Sequence, residues 1–469
     1  MRRTLPAGPP RLPSTQPGWH RDEVDAQPGG HRLPAQKSED RSVAQAWFLA
    51  EGGEDSREAE MSDVRSVVVI GAGLAGAKTV EALREKGYAG ALTLIGDEPY
   101  LPYERPPLSK DFLQGKAERE TVFVHDEQWY GDHSVSLLRG THVTAIHRTA
   151  RTVVLGDGTE IPYDRAVLAT GSTPRTLDVE GSDLDGVLYL RRLDDSERLR
   201  DVLAAVRRIA IVGGGWIGLE VAAAARAAGV DVTLIEKDSL PLAGVLGPEI
   251  APVFAELHRR HGVDLRTGVG VAALTGDDGR VVAVQLDDGT AVAAEAVIVG
   301  AGITPNVQLA VDAGLEVDGG VLVDEHLRSN DPDIYAVGDV ASAWHPLLGK
   351  RIRVDHWANA LNQPPVAAAG ILGEDASYER SPYFFSYQYD VGLEYTGYAV
   401  PGGYDGVVVR GDYDKPEFIA FWTAQGVVQA GMNVSVWDVT DDIKALIASR
   451  TAIDPGKLAD PGIPLADLL

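Results

Sequence analysis

The chain has 469 residues, 44% hydrophobic and 24% charged, with a formal net charge of -26 and no cysteine; these are globular proportions for two to four domains. The acidity argues against a nucleic-acid partner, because nothing could neutralise phosphates over a broad face, and the missing cysteines exclude disulfides, thiolate metal sites and thiol redox chemistry. No apolar run approaches the roughly 20 residues of a membrane span, so a cytoplasmic protein with no membrane partner is expected.

In chain order, the first 60 residues stand apart. "MRRTLPAGPPRLPSTQPGWHRDEVDAQPGGHRLPAQ" is rich in Pro, Gly and charge and has no periodicity. Arg2 and Arg3 resemble a twin-arginine signal, but no apolar segment follows them, which argues against export. The expectation is a disordered or mis-called extension, with the natural start at Met61 in "MSDVRSVVVIGAG".

From there the chain carries a repeat. "SVVVIGAGLAGAKTVEALREKG" reads as a strand, a G-x-G-x-x-G turn at Gly71, Gly73 and Gly76, and a helix. The strand "LTLIGDE" follows, then "LPYERPPLSKDF". Pro102, Pro106 and Pro107 bar a helix there and stiffen the chain around Arg105 and Lys110. "TVVLGDGTEIPYD" predicts a hairpin about a D-G turn, and "RAVLATGSTP" a strand and loop. The second copy repeats these features in the same order. "IAIVGGGWIGLEVAAAARAAG" supplies Gly213, Gly215 and Gly218, followed by "DVTLIEK", the hairpin "VVAVQLDDGTAV" and "EAVIVGAGITP".

One such turn is weak evidence, but two in matching contexts are strong. The first glycine permits the tight turn, the second lets backbone approach a pyrophosphate, and the third lets helix and strand close up. Glu236, 23 residues after Gly213, is placed to accept hydrogen bonds from a ribose 2′-hydroxyl and repels a 2′-phosphate, which favours NADH. Two dinucleotide sites imply two dinucleotides that exchange electrons. The first copy has the extra proline-rich segment and a later partner, "SNDPDIYAVGDVA", whose strand ends in Gly338-Asp339. That layout suits a long resident cofactor such as FAD. A strand-rich last domain begins near residue 381, and "TDDIKALIAS" reads as a helix capped by Thr440 or Asp441.

The motifs "VVVIGAGLAG", "GDEPYLPYERPPLSK", "LATGSTPR", "YLRRLDD", "IVGGGWIGLEVAAAA", "YAVGDVA" and "VDHWANAL" resemble those of FAD-dependent, NADH-oxidising ferredoxin reductases of the rubredoxin-reductase and putidaredoxin-reductase type. Apoptosis-inducing-factor flavoproteins are more distant relatives. The resemblance runs from about residue 64 to the C-terminus. It implies an α/β fold with two Rossmann-like dinucleotide-binding domains, glutathione-reductase-like, plus a C-terminal α+β domain. The expected organisation is an extension over 1–60, an FAD-binding domain over 61–180 and 301–380, an NADH-binding domain over 181–300, and the C-terminal domain over 381–469, packed against the flavin domain.

The resemblance also implies roles. Lys110 is expected beside the flavin N5 edge, paired with Glu220 from the second nucleotide domain. Ala75 would offer its N–H to the FAD pyrophosphate, Asp97 (or Glu98) would contact the adenosine ribose, and Val143 the adenine. Arg191 would reach flavin or phosphate, Asp339 the ribityl chain, and the Trp357 backbone the isoalloxazine. Arg105, Thr170, Gly171, Ile217 and Gly302 complete the expected cofactor-binding set. The implied function is hydride transfer from NADH to FAD and single-electron delivery to a ferredoxin or rubredoxin, an iron–sulfur acceptor that feeds an oxygenase. The rival expectations are a monodehydroascorbate-type reductase and a redox-signalling flavoprotein.

One departure stands out: where the family often has "F-W-S-D-Q", this chain reads "PYFFSYQ", with Phe385 for the tryptophan and Tyr387 for the aspartate. "GKRIRVDHW" offers Lys350, Arg351 and Arg353 as a basic patch to steer an acidic partner. His125, His142 and His356 lack metal-ligand spacing and are read as ordinary histidines.

Overall fold

The structure, a computed structural model, describes residues 64–412 and 415–469; the expectations for residues 1–60 lie outside the described residues. Two five-stranded parallel sheets form the frame. In the first, Ser66–Ile70 lies between Ala91–Ile95 and Arg165–Leu168, with Val135–Leu138 and Ile334–Ala336 at the edges. In the second, Arg208–Val212 lies between Asp231–Glu236 and Ala296–Val299, with Asp264–Thr267 and Val187–Tyr189 outside them. Val67 to Ile70 and Ile209 to Val212 are all buried, as parallel strands covered on both faces must be, so they read as unbroken apolar runs rather than alternating ones.

The helices Leu74–Glu85 and Trp216–Ala227 follow the two central strands. Both predicted hairpins form antiparallel pairs, Thr152–Leu155 with Glu160–Pro162 and Arg280–Leu286 with Ala291–Ala293. Among the described residues, no helix is long and apolar enough to cross a membrane.

The last unit is an antiparallel sheet in the order Tyr383–Gln388, Val391–Gly397, Val427–Val434, Glu417–Ala424, Gly406–Asp412. Strand Glu417–Ala424 shows why it holds. Phe418, Ala420 and Trp422 enter one core while Ile419 and Phe421 enter another under helix Thr440–Ser449, the period of two of a strand covered on both faces. The first of these cores is shared with Leu219, Val221 and Phe254. The sheet therefore packs on the helices of the second nucleotide unit as well as on the flavin domain, where it was expected. It reaches the first unit through aromatic contacts of His356 and Trp357 with Phe384 and Phe385.

The expected cap of the last long helix is corrected. Val439 is the N-cap, and Thr440 and Asp441 lie in the first turn. The Thr440 hydroxyl donates to Glu394 Oε2 at 2.8 Å, so tertiary bonding takes the group that would have capped the helix.

Candidate functional site

The two sheets open on turns of the same build. Gly71 and Gly213 have left-handed backbones, φ +114° and +105°. A Cβ on either would lie 2.1 Å from Ala169 O or 2.4 Å from Gly300 O. The third glycines are equally constrained: Cβ positions on Gly76 and Gly218 fall 1.9 and 2.0 Å from the carbonyl oxygens of Gly71 and Gly213. The middle glycines are different. Nothing lies within 4 Å of a Cβ on Gly215, and only Arg105 Nη2, at 4.0 Å, approaches one on Gly73.

The fold itself thus demands glycine at the first and third positions but not at the second, where the open space suits a ligand pressed against backbone. Gly73 and Gly215 are also the N-caps of their helices, and neither helix has a side-chain cap on its free N–H groups. Open space, unsatisfied donors and a partial positive charge fit a dinucleotide pyrophosphate in each copy. Ala75 stands in the first turn of one helix, and Ile217, 43% exposed, in the first turn of the other.

Glu236 is fixed over the second turn. Its Oε2 accepts from the Gly214 N–H at 2.6 Å and its Oε1 from the Asp238 N–H at 2.9 Å. In the first copy the equivalent place is Gly96, since Ile70 pairs with Ile95 as Val212 pairs with Ile235. A Cβ there would strike Ala72 Cβ at 2.5 Å, so no acid fits. The nearby acids are already engaged. Asp97 pairs with Arg192 at 2.6 Å, and Glu98 accepts from the Tyr103 hydroxyl at 2.6 Å and Arg105 at 3.4 Å.

Arg105 links the first turn to a buried polar cluster. Its guanidinium donates to Arg191 O at 2.5 Å, and Arg191 in turn donates to Asp339 at 2.8 Å. Asp339 also accepts from Ser172 Oγ at 2.6 Å. Burial pushes the Asp339 carboxyl up, but Arg191 and Ser172 outweigh it and hold it below the usual carboxylate range. Gly338, at φ +77°, would put a Cβ 3.0 Å from Ala75 Cβ, so its turn lies against the first helix.

Asn306 clasps the Thr170–Gly171 turn. It exchanges bonds of 2.8 Å each way with Thr170 and donates its N–H to Gly171 O at 2.9 Å. Gly302 turns at φ +93°, with Arg175 nearest to its Cβ position at 3.9 Å. Val143 is buried at the start of strand Val143–His147, in the same core as Ala75 and Ala169.

Lys110 and Glu220 meet in the interior, 2.7 Å apart, with side chains 9% and 4% exposed. The lysine follows the short 3-10 turn Pro106–Ser109, and the glutamate lies on helix Trp216–Ala227. Glu220 Oε2 also accepts from Ser109 Oγ, and its other oxygen accepts from Ser386 Oγ at 2.7 Å. Three side chains from two separate parts of the chain thus satisfy one carboxylate, which is what a buried ion pair requires to persist.

Phe385 lies 5.6 Å from the Lys110 ammonium and edge-on to Trp357 at 5.7 Å. Tyr387 continues the line at 5.9 Å and stacks on Trp437 at 6.2 Å, where both are about two-fifths exposed. Trp357 begins helix Trp357–Ile371, and its Nε1 and the Nδ1 of His356 are buried without a partner. Burial pushes the His356 imidazole down to about 4, so His356 belongs to this polar floor as a neutral ring.

The basic stretch makes contacts within the chain, although Lys350 and Arg351 stay exposed. Arg351 donates to Val323 O and Ser342 O, Arg353 pairs with Asp355, and Lys350 lies over the Tyr398 ring at 4.5 Å. Sequence reading also missed Ser109, Ser172, Asn306 and Ser386.

Residues 65–363 match the family described as pyridine nucleotide-disulphide oxidoreductase, and residues 383–469 the one described as reductase C-terminal. The chain is similar to putidaredoxin reductase of Pseudomonas putida, 39% identical over 409 residues, 86% of this chain and 96% of that protein. It is similar to the ferredoxin–NAD(+) reductase component of the anthranilate 1,2-dioxygenase system of Burkholderia cepacia, 41% identical over 407 residues, 86% and 98% of the two chains. Among solved structures it resembles the covalent putidaredoxin reductase–putidaredoxin complex, with a TM-score of 0.83, 39% identity, and coverage of 86% of this chain and 98% of that one.

Proposed function

This chain belongs to the pyridine nucleotide-disulphide oxidoreductases, in their ferredoxin-reductase branch, and on that premise we propose that it transfers electrons from NADH through FAD to a ferredoxin or rubredoxin that feeds an oxygenase. The observation that carries this reading is the pair of equivalent turns, each with an open middle glycine, joined through Lys110 and Glu220. The disulphide chemistry in the family's description needs thiols, and this chain has no cysteine.

When bound, FAD accepts a hydride from NADH and returns the two electrons singly to two one-electron acceptors, releasing a proton. The chain supplies binding and electrostatics. Gly71, Gly73, Ala75 and Gly76 would hold the FAD pyrophosphate, and Arg191 and Asp339 its middle. Gly213, Gly215, Ile217 and Gly218 would hold NADH, with Glu236 on its ribose. Lys110 would place a cation beside the reacting ring, and Glu220 keeps that cation in place. The line from Phe385 to Trp437 lies on the acceptor side. A cytoplasmic setting, where NADH is supplied, belongs to the same reading.

Purification and stopped-flow spectroscopy test it. The expected result is one FAD per chain, reduced faster by NADH than by NADPH and reoxidised by an iron–sulfur ferredoxin. A protein without flavin, or a flavin that NADH leaves oxidised, overturns the reading. Fast turnover with ascorbyl radical and none with ferredoxin would move it to the monodehydroascorbate reductases.

A further inference from the structure

Glu220 ends a line of buried hydrogen bonds that the proposed reaction does not by itself require. Ser386 Oγ donates to Glu220 Oε1 at 2.7 Å, and Gln388 Nε2 donates to Ser386 Oγ at 3.2 Å. His258 Nε2 lies 2.9 Å from Gln388 Oε1, and the Tyr389 hydroxyl lies 3.0 Å from His258 Nδ1. Glu220 is 4% exposed, Ser386 1%, Gln388 2% and His258 0%. The line crosses from helix Trp216–Ala227 to strand Tyr383–Gln388 and then to the last turn of helix Ala243–Arg260.

Its direction follows from the donors available. A carboxylate cannot donate, so Ser386 gives its single proton to Glu220. The serine oxygen must then receive from the Gln388 amide nitrogen, which turns the amide oxygen towards His258. His258 therefore carries its proton on Nε2, and Nδ1 accepts from the Tyr389 phenol. Burial agrees with both assignments. It pushes the His258 imidazole down to about 4, so the ring is neutral, and pushes the Tyr389 phenol up, so it keeps its proton. Every dipole in the line points at the carboxylate, and aligned bonds of this kind strengthen one another. The far end is anchored too, because Tyr389 stacks on His261 with ring centroids 3.6 Å apart.

We infer that His258, Gln388 and Tyr389 are positioning residues for Glu220, fixing the carboxylate oxygen that Lys110 does not occupy and so holding the lysine ammonium in place. The line orients rather than conducts, since a side-chain amide at its centre does not readily release a proton. The inference rests on the proposed flavin reductase reading. Its rival is that these groups merely glue the C-terminal sheet to the helix beneath it.

Four variants separate the two: His258→Phe, His258→Gln, Ser386→Ala and the double variant His258→Phe with Ser386→Ala. The flavin midpoint potential, the rate of flavin reduction by NADH and the melting temperature are measured for each. His258→Phe is expected to shift the potential and slow reduction about 5-fold, the equivalent of ~1 kcal/mol for one lost bond. His258→Gln, which keeps an N–H towards Gln388, should restore both to within about 2-fold of the parent. In the Ser386→Ala background, where the line is already cut, His258→Phe should change neither, although it still lowers the melting temperature. If His258→Phe does not fold, Gln388→Met takes its place in the same cycle. Equal effects of His258→Phe with and without Ser386 would overturn the inference, as would Phe and Gln variants that behave alike. Failure of the proposed function shows itself separately, in a parent protein that binds no flavin or is not reduced by NADH.

Discussion

Thr173 and Thr304 face each other directly in a two-stranded antiparallel ladder, with Ser172 opposite Pro305 and Pro174 opposite Ile303. They hold the same place in the two copies of the repeat, "ATGSTP" and "GAGITP". Equivalent residues can oppose one another only about a local two-fold axis. The halves are therefore joined at matching points just beyond the strands Arg165–Leu168 and Ala296–Val299, and the Asn306 clasp on Thr170 and Gly171 closes the same join.

Substitutions within each glycine motif should separate folding from binding. Gly73→Val and Gly215→Val meet open space, so the melting temperature of flavin-free protein should barely change. Gly73→Val should nevertheless lose flavin, and Gly215→Val should raise the KM for NADH. Gly76→Ala and Gly218→Ala drive a Cβ to about 2 Å from a carbonyl oxygen and should destabilise the fold by a few kcal/mol, in the range of ~1–3 for overpacking. Flavin absorbance and thermal melts check both halves.

Glu220→Gln leaves the Lys110 ammonium buried with no opposite charge. The expected cost is about 3–5 kcal/mol of stability, with slower flavin reduction. Making Lys110→Met as well removes the stranded charge. The double variant should recover much of the stability but none of the reduction rate. Denaturant unfolding and stopped-flow traces provide the comparison.

Glu236→Ala removes the acid above the second turn and two bonds to backbone N–H groups. Loss of a charge-assisted contact is worth roughly 1–3 kcal/mol, so kcat/KM for NADH should fall about 10-fold while NADPH loses little. The ratio of the two specificity constants is the measurement. A parent enzyme that prefers NADPH would defeat the assignment.

His258 also sets a pH dependence. Burial pushes its imidazole from an ordinary 6.5 down to about 4, so between those values the unfolded chain binds a proton that the folded one does not. Its contribution is fully present above 6.5 and is lost as pH falls towards 4. His258→Gln should make the fall in stability over that window shallower by up to ~1.4 kcal/mol per pH unit, one proton's worth. Urea midpoints at three pH values across the window test it.

The two nucleotide units were legible because a parallel strand covered on both faces leaves an unbroken apolar run, and "SVVVI" and "RIAIV" are such runs beside glycine turns. The place of Glu236 beside the second turn was legible from spacing alone. Lys110 and Glu220 were not, because 110 residues separate them and only a family resemblance joined them. Ser386 and Gln388 stayed hidden for a different reason. Polar residues alternating with aromatics look like the wet face of a strand, and only the packing over Glu220 turns that face inward. Thr440 failed as a cap because its hydroxyl is taken by a tertiary partner that local sequence does not reveal.

The order of synthesis gives the strand order a further meaning. All five strands of the second sheet lie between Val187 and Val299, whereas the first sheet is completed only when Ile334 pairs with Ala166. A chain emerging from the ribosome can finish the second sheet while the first still has four strands and a bare edge at Arg165–Leu168. The inserted unit thus closes over shorter separations than its host and can fold early, while the host must wait for a more distant strand. Until that strand arrives, the open edge is the part of the nascent protein most exposed to mispairing.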